Sequence, residues 1–224
     1  MNKSNVWMRD TPVNVVLTIS TPFRVGGARG EAVGADLPVL SVEYNGGLVP
    51  VIPASSIRGV LRDAVETLVY SCPSPDRLIG CVETLFGSLP PPRSKDRPFN
   101  PGPTKAGVVR IVSRPIQKGL SSGKIVSRRS VRINDVFGTA EHRALFDYEC
   151  VEPEAGSDLS IEFGLWLTYP LDELTAAVLL GGLRMLKYAG IGGFKSRGMG
   201  LITNVKIDPE FVREAEGGLR EVFP

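Results

Sequence analysis

Three stretches decide the fold: Leu159-Ser-Ile-Glu-Phe-Gly-Leu-Trp-Leu167, Asp172-Glu-Leu-Thr-Ala-Ala-Val-Leu-Leu-Gly-Gly-Leu-Arg-Met-Leu-Lys-Tyr188 and Leu201-Ile-Thr-Asn-Val-Lys-Ile207. In the first, Leu159, Ile161, Phe163, Leu165 and Leu167 recur at every second position, the period of a strand with one buried face. The second reads as a helix, with Asp172 and Glu173 in its first turn, where negative charge complements the helix dipole. The third reads as another strand. Working outward, Val13, Val15, Leu17 and Ile19 alternate in the same way and predict an earlier strand. Ile57, Val60, Leu61, Ala64, Val65 and Leu68 share one face of a helix that starts at Ser55 or Ser56, just after Pro53. Val108 to Val112 is a further strand. Strand, helix, strand occurring twice predicts an α+β chain with the split β-α-β arrangement of a ferredoxin-like fold, carrying insertions. That fold is silent on function.

The insertions are legible as breaks in periodicity. Residues 21–50 are rich in Gly and Pro, with a short hairpin expected around Asn45-Gly46; a loop this long inside a compact domain is commonly functional. Cys72 to Gly107 contains Pro90-Pro-Pro92 and reads as a loop insertion. Lys118 to Arg129 is basic and rich in Ser and Gly, and reads as a flexible excursion. Ala144 to Val151 is expected to pair as a strand.

The helix and the last strand are joined by Gly190-Ile-Gly-Gly-Phe-Lys-Ser-Arg-Gly-Met-Gly200. Glycines permit positive φ and remove side chains that would hold a ligand away, so successive N–H groups can face a phosphate. Lys195 and Arg197 add charge and Ser196 a hydroxyl. The loop follows a helix, whereas a dinucleotide fingerprint precedes one. A plain helix cap at Gly190 accounts for one glycine and not for the later ones.

Charge points the same way. The chain's net charge is only +2, yet eleven basic residues and a single acid, Asp96, lie between Arg93 and Arg132. Such asymmetry favours a polyanion partner, against the alternative of a solvated basic loop. Pro53-Ala-Ser-Ser-Ile-Arg-Gly-Val-Leu-Arg62 adds an anion-binding helix start, with Ser55 and Ser56 in capping position and Arg58 and Arg62 on one face; an ordinary capped helix is the plainer reading. Val131-Arg-Ile-Asn-Asp-Val-Phe-Gly-Thr-Ala140 mixes charge with apolar and aromatic side chains that suit stacking on bases, or forms a strand end and turn.

Composition sets the frame: 224 residues, 42% of them hydrophobic, are enough for one large domain of globular type or two small ones sharing a sheet. No run of apolar residues is long enough to span a membrane, and the N-terminus lacks an apolar signal core, so a cytoplasmic location is expected. Cys72, Cys81 and Cys150 do not form a disulfide framework. A single glutamine, Gln117, and more Arg than Lys hint at a thermophile.

Together, the Ser-Ser-Ile-Arg-Gly helix start, the Arg132-Ile-Asn-Asp-Val-Phe-Gly-Thr-Ala140 segment and the terminal glycine loop, in this order, resemble the RAMP superfamily of CRISPR-associated proteins. More narrowly, the chain resembles the repeated backbone subunit of type III CRISPR effector complexes, from Val13 to Ile207. The resemblance implies a single domain over residues 1–224, an RNA-recognition-motif-like core with thumb-like and lid-like insertions. A catalytic loop would span 21–54, an insertion 72–107 and a thumb-like extension 114–137. It implies copies stacked along a guide CRISPR RNA beside other effector subunits, with each thumb interrupting guide–target pairing. Guide contacts carry over to Ser55, Ser56, Arg58, Arg62, Lys195, Ser196 and Arg197, and thumb contacts to Arg128, Arg129 and Arg132.

Members that cut target RNA use an Asp in a Gly-x-Asp-x-Pro-Val/Ile context, which Gly34-Ala-Asp36-Leu-Pro-Val39 matches. The resemblance therefore makes Asp36 the catalytic residue, assisting attack of the RNA 2′-hydroxyl on the adjacent phosphate and holding a transient Mg²⁺ or Mn²⁺. By itself, Asp36 reads as a loop Asp before a Leu-Pro turn. Glu31 is a second acid in that loop. Relatives with a Cys cluster before a Leu-Phe-Gly segment bind a metal there. Here Leu85-Phe-Gly87 is preceded only by Cys81 and Cys72, so no structural zinc is expected. Two other readings stand: a non-catalytic guide-binding subunit, and a guide-processing endoribonuclease using His142, the only histidine.

Overall fold

The computed structural model describes residues 12–26, 35–88, 104–113 and 123–222. In chain order the elements are β1 (Val13–Ile19), β2 (Ser41–Tyr44), β3 (Gly47–Pro50), α1 (Ala54–Tyr70), α2 (Asp76–Phe86), β4 (Val109–Ser113), β5 (Gly123–Ile133), β6 (Ala140–Pro153), β7 (Leu159–Leu167), α3 (Glu173–Ala189), β8 (Ile202–Ile207) and α4 (Pro209–Val222). The central sheet has the order β4-β7-β1-β8, and every neighbouring pair in it is antiparallel. With the insertions set aside, β1-α1-β4-β7-α3-β8 is the ferredoxin-like succession, and the fold is α+β.

The alternation that predicts the strands is the alternation that fills the core. Val13, Val15, Leu17 and Ile19 of β1 and Leu159, Ile161, Phe163 and Leu165 of β7 are buried together with Ile57, Leu61 and Val65 of α1 and Val178, Leu179 and Leu183 of α3. Helices α1 and α3 meet at Gly182, where a Cβ would overlap the Val65 side chain. Asp172 is the N-cap of α3: its Oδ1 accepts the Thr175 N–H at 2.9 Å, and its Oδ2 accepts the Thr175 hydroxyl at 2.7 Å.

Several sequence expectations need correction. Helix α1 begins at Ala54 with Pro53 at the cap position, and no side chain caps it. Ser55 and Ser56 therefore lie inside its first turn instead of capping it. The segment from Cys72 to Gly107 is not simply a loop: it contains α2, which buries Leu78, Cys81, Val82, Leu85 and Phe86. From Gly123 onward the basic excursion is regular strand, because β5 pairs with β6 as a long antiparallel hairpin. Helix α4 follows β8 and packs against α3. Glu31, Gly34, Pro90 to Pro92, Arg93, Lys95, Arg97, Arg114 and Lys118 lie outside the described residues. Among the described residues no helix is long and apolar enough to cross a membrane.

Candidate nucleic-acid interface

Asp36 sits on a segment that docks along β6, where Leu37 forms an isolated parallel bridge with Tyr148. Its Oδ2 accepts the Asp147 N–H at 2.9 Å. The Leu37 N–H donates to Asp147 O at 3.1 Å, and the Glu149 N–H donates to Leu37 O at 3.0 Å. The Val39 N–H donates to Glu149 Oε2 at 2.9 Å. Four hydrogen bonds over four residues hold the exposed carboxylate itself and the backbone that follows it. Fixed geometry of this kind is what a reacting group requires.

The glycine loop closes against the chain that follows β1. The Gly193 N–H donates to Arg24 O at 2.7 Å, and the Gly200 N–H to Pro22 O at 2.8 Å. The Leu201 N–H donates to Thr21 Oγ1 at 2.8 Å. Gly192 and Gly200 have φ of +85° and +71°, and a Cβ on either would collide with backbone: Arg24 O for Gly192, Ile191 O for Gly200. Here the structure amends the sequence reading. These glycines serve close approach between two backbones, and much of the loop's N–H capacity is spent within the protein rather than turned outward. What the loop presents is its side chains, on the short 3₁₀ turn Lys195–Arg197.

Phe194 ties the loop to the rest of the site. It holds φ +60°, a left-handed conformation uncommon for a bulky residue. Its ring lies 4.9 Å from the Arg197 guanidinium and 5.5 Å from that of Arg24. Tyr148 of β6 meets it edge-on at 5.1 Å. Arg197 also donates to Ser130 Oγ of β5 at 3.0 Å. Burial pushes the Arg24 guanidinium below its ordinary pKa, partly opposed by Cys150 and Glu149. Loop, hairpin and β1 exit therefore meet at one aromatic ring.

The three arginines of β5 are each matched by a carboxylate of β6. Arg128 pairs with Glu152 at 2.5 Å, Arg129 with Asp147 at 3.2 Å and Arg132 with Glu141 at 3.7 Å. Glu152 raises the Arg128 pKa, chiefly through their hydrogen bond. Arg129 and Arg132 remain 75% exposed in their side chains, and exposed pairs of this kind contribute little, so phosphate can compete for them. At the hairpin tip, Asn134 Oδ1 accepts the N–H groups of Val136 and Phe137, both at 3.0 Å. That Asx turn leaves Val136 82% and Phe137 77% exposed, an apolar pair presented to solvent.

The α1 start behaves differently. Arg58 donates to Phe86 O at 2.8 Å and lies 5.7 Å from the Phe86 ring. Burial lowers its pKa, and Arg110 and Arg62 add to the effect. Arg62 pairs with Glu66 at 2.6 Å. Arg58 thus fastens α1 to the end of α2, and neither arginine lines the cleft described next.

That cleft, of about 840 Å³, is lined by residues 35–37, Arg132, the six residues 141–146, and Phe194. It brings Asp36, Arg132 and His142 together. Glu141, Arg143 and Phe194 were not singled out from sequence. Phe194 stood in plain view inside the glycine run, but nothing local marks Glu141 or Arg143, whose placement depends on hairpin register. Among the described residues, no group of three or more His, Cys, Asp or Glu is gathered to hold a metal ion.

The model of the RAMP superfamily matches residues 16–219, nearly the whole chain and all of the elements that build this cleft. The chain belongs to the RAMP superfamily. A comparison with curated proteins returned no match. Proteins of the RAMP superfamily work in CRISPR complexes with RNA and other subunits, and this RAMP protein is accordingly CRISPR-associated and RNA-binding. The glycine loop, the hairpin and the Asp36 segment all fall inside the matched residues.

Proposed function

We propose that the protein is the repeated backbone subunit of a type III CRISPR effector complex, which binds guide RNA and cleaves complementary target RNA at Asp36. The observation that carries this reading is the shared cleft: Asp36, pinned to β6, faces the same space as the hairpin's Arg132 and the glycine loop's Phe194. Guide RNA would run along Lys195, Ser196 and Arg197, and the exposed Val136 and Phe137 of the thumb-like hairpin would wedge into the guide–target duplex. Further copies of the chain and other effector subunits would flank it.

The reaction is transesterification. The target's 2′-oxygen bonds to the adjacent phosphorus as the bond to the 5′-oxygen breaks, giving a cyclic phosphate and a 5′-hydroxyl. Asp36 would assist removal of the 2′-hydroxyl proton, and Arg132 and Arg143, which line the same cleft, would offset the charge that builds on the phosphate. Mg²⁺ or Mn²⁺ held by Asp36 would supply Lewis-acid stabilisation of that charge. Phe137 and Val136 would splay the backbone toward the in-line geometry that attack needs.

The complex assembled on a defined guide should cut matched target RNA with Mg²⁺ or Mn²⁺, and lose this with Asp36→Ala while guide binding persists. Target left intact by the wild-type complex would favour the non-catalytic subunit. The position of His142 in the same cleft gives the guide-processing alternative its one specific support. That alternative requires the isolated chain to cut repeat RNA without metal.

A further inference from the structure

In the β5–β6 hairpin the register breaks at the cleft. Val131 pairs with Leu145 and Ile133 with Ala140, so Arg132 alone stands opposite Glu141, His142, Arg143 and Ala144. A strand gains such extra residues only by bulging, and bulges re-aim side chains beside active sites. Within this bulge Arg143 adopts φ +59°, a left-handed conformation that a non-glycine residue takes at a cost and that tends to persist where a site requires it. The result is that His142, exposed on its strand, lines the cleft that also holds Asp36. Regular pairing would have placed successive residues on alternate faces; within the bulge, all four residues from Glu141 to Ala144 line one cavity.

We infer that His142 is a second catalytic residue for target cleavage, the proton donor to the departing 5′-oxygen; this rests on the reading of Asp36 given above. Transesterification moves one proton off the 2′-hydroxyl and needs one delivered to the 5′-oxygen. Asp36, when ionised, can only accept. His142 is the imidazole of the cleft, and imidazole is the side chain suited to give a proton near neutral pH. The charged groups that share its cavity are Asp36, Arg132, Glu141 and Arg143. In the step, the 2′-oxygen–phosphorus bond forms, the phosphorus–5′-oxygen bond breaks, and the imidazolium proton passes to the 5′-oxygen, leaving neutral imidazole. Bulk water restores the proton between turnovers.

The test uses the complete effector complex on two matched targets, one natural and one with sulfur replacing the 5′-bridging oxygen at the cleavage site. A thiolate leaves without protonation, so the sulfur target does not need an acid. Single-turnover rates are measured for wild type, His142→Ala, His142→Gln and Asp36→Ala, with guide affinity as the check on folding. Both His142 variants should cut the natural target about 10²-fold more slowly or worse, and the sulfur target at close to the wild-type rate. Asp36→Ala should be slow on both. Equal loss on both targets in the His142 variants, or no loss on the natural one, overturns the assignment. Undiminished cutting of both targets by Asp36→Ala overturns the reading of Asp36 instead, and leaves the His142 comparison to be read by itself.

Discussion

Asp36 Oδ2 accepts the backbone N–H of Asp147 at 2.9 Å. A backbone donor cannot rotate away, so strand β6 holds the candidate catalytic carboxylate more firmly than a loop could. The neighbouring clamp is a side chain, Glu149, whose Oε2 accepts the Val39 N–H. Glu149→Ala should therefore slow target cleavage about tenfold, or ~1.4 kcal/mol, by loosening the segment that carries Asp36, while Glu149→Gln, which keeps an acceptor oxygen, restores most of the rate. Single-turnover cleavage measures both. Equal loss in the two variants would show that the charge of Glu149 matters and not its hold on Val39.

Lys195→Glu with Arg197→Glu should weaken guide binding and flatten its salt dependence by about 0.7 in log–log slope for each guide phosphate that is no longer neutralised. Arg197 also reaches Ser130 on the hairpin. Ser130→Ala removes that link without removing charge, so it should leave the salt slope unchanged. Binding titrations at several salt concentrations separate the two roles.

Gly192→Ala and Gly200→Ala should each destabilise the fold by more than ~1 kcal/mol, because a Cβ meets backbone at a positive φ. Gly198→Ala is the control: its φ is +79°, but no atom lies within 4 Å of the added carbon. It should show the conformational cost alone and melt above the other two. Thermal unfolding gives the ranking.

Burial pushes the thiols of Cys81 and Cys150 above their ordinary pKa. A folded chain that keeps these protons after the unfolded chain has released them loses stability as pH rises. The contribution is complete below the ordinary thiol pKa, about 8.5, and falls above it. The melting temperature of the wild type should drop more steeply between about pH 8 and pH 10 than that of a Cys81→Ala, Cys150→Ala variant.

How much of this was legible in the sequence depends on the range of the forces involved. The core sheet was, because period-two burial in β1 and β7 and helical spacing in α1 and α3 are local patterns. Helix α2 was missed, because the prolines around it masked the helical spacing of Leu78, Cys81, Val82, Leu85 and Phe86. Helix α4 carries Gly217 and Gly218, which weaken its local propensity, and gains its hold from packing on α3. The hairpin read as flexible because Ser, Gly and Lys are prominent around the start of β5; its order comes from pairing with β6, which local propensity does not show. The site divides in the same way. Asp36 and Lys195 to Arg197 were marked by motif. The gathering of His142, Glu141 and Arg143 beside Asp36 arises from a register break that no local rule foretells. The glycines of the terminal loop were legible as a motif, but their fit against the backbone of Pro22 to Arg24 was not.

The central claim is that Asp36 performs the cleavage of target RNA within an assembled guide complex. The most direct measurement is the single-turnover rate of matched target RNA in complexes carrying wild-type or Asp36→Ala subunits, with Mg²⁺ or Mn²⁺ present and guide occupancy verified. The expected result is specific cutting by the wild type and a loss of at least about 10²-fold in the variant, with guide affinity unchanged. Equal rates in the two complexes would contradict it.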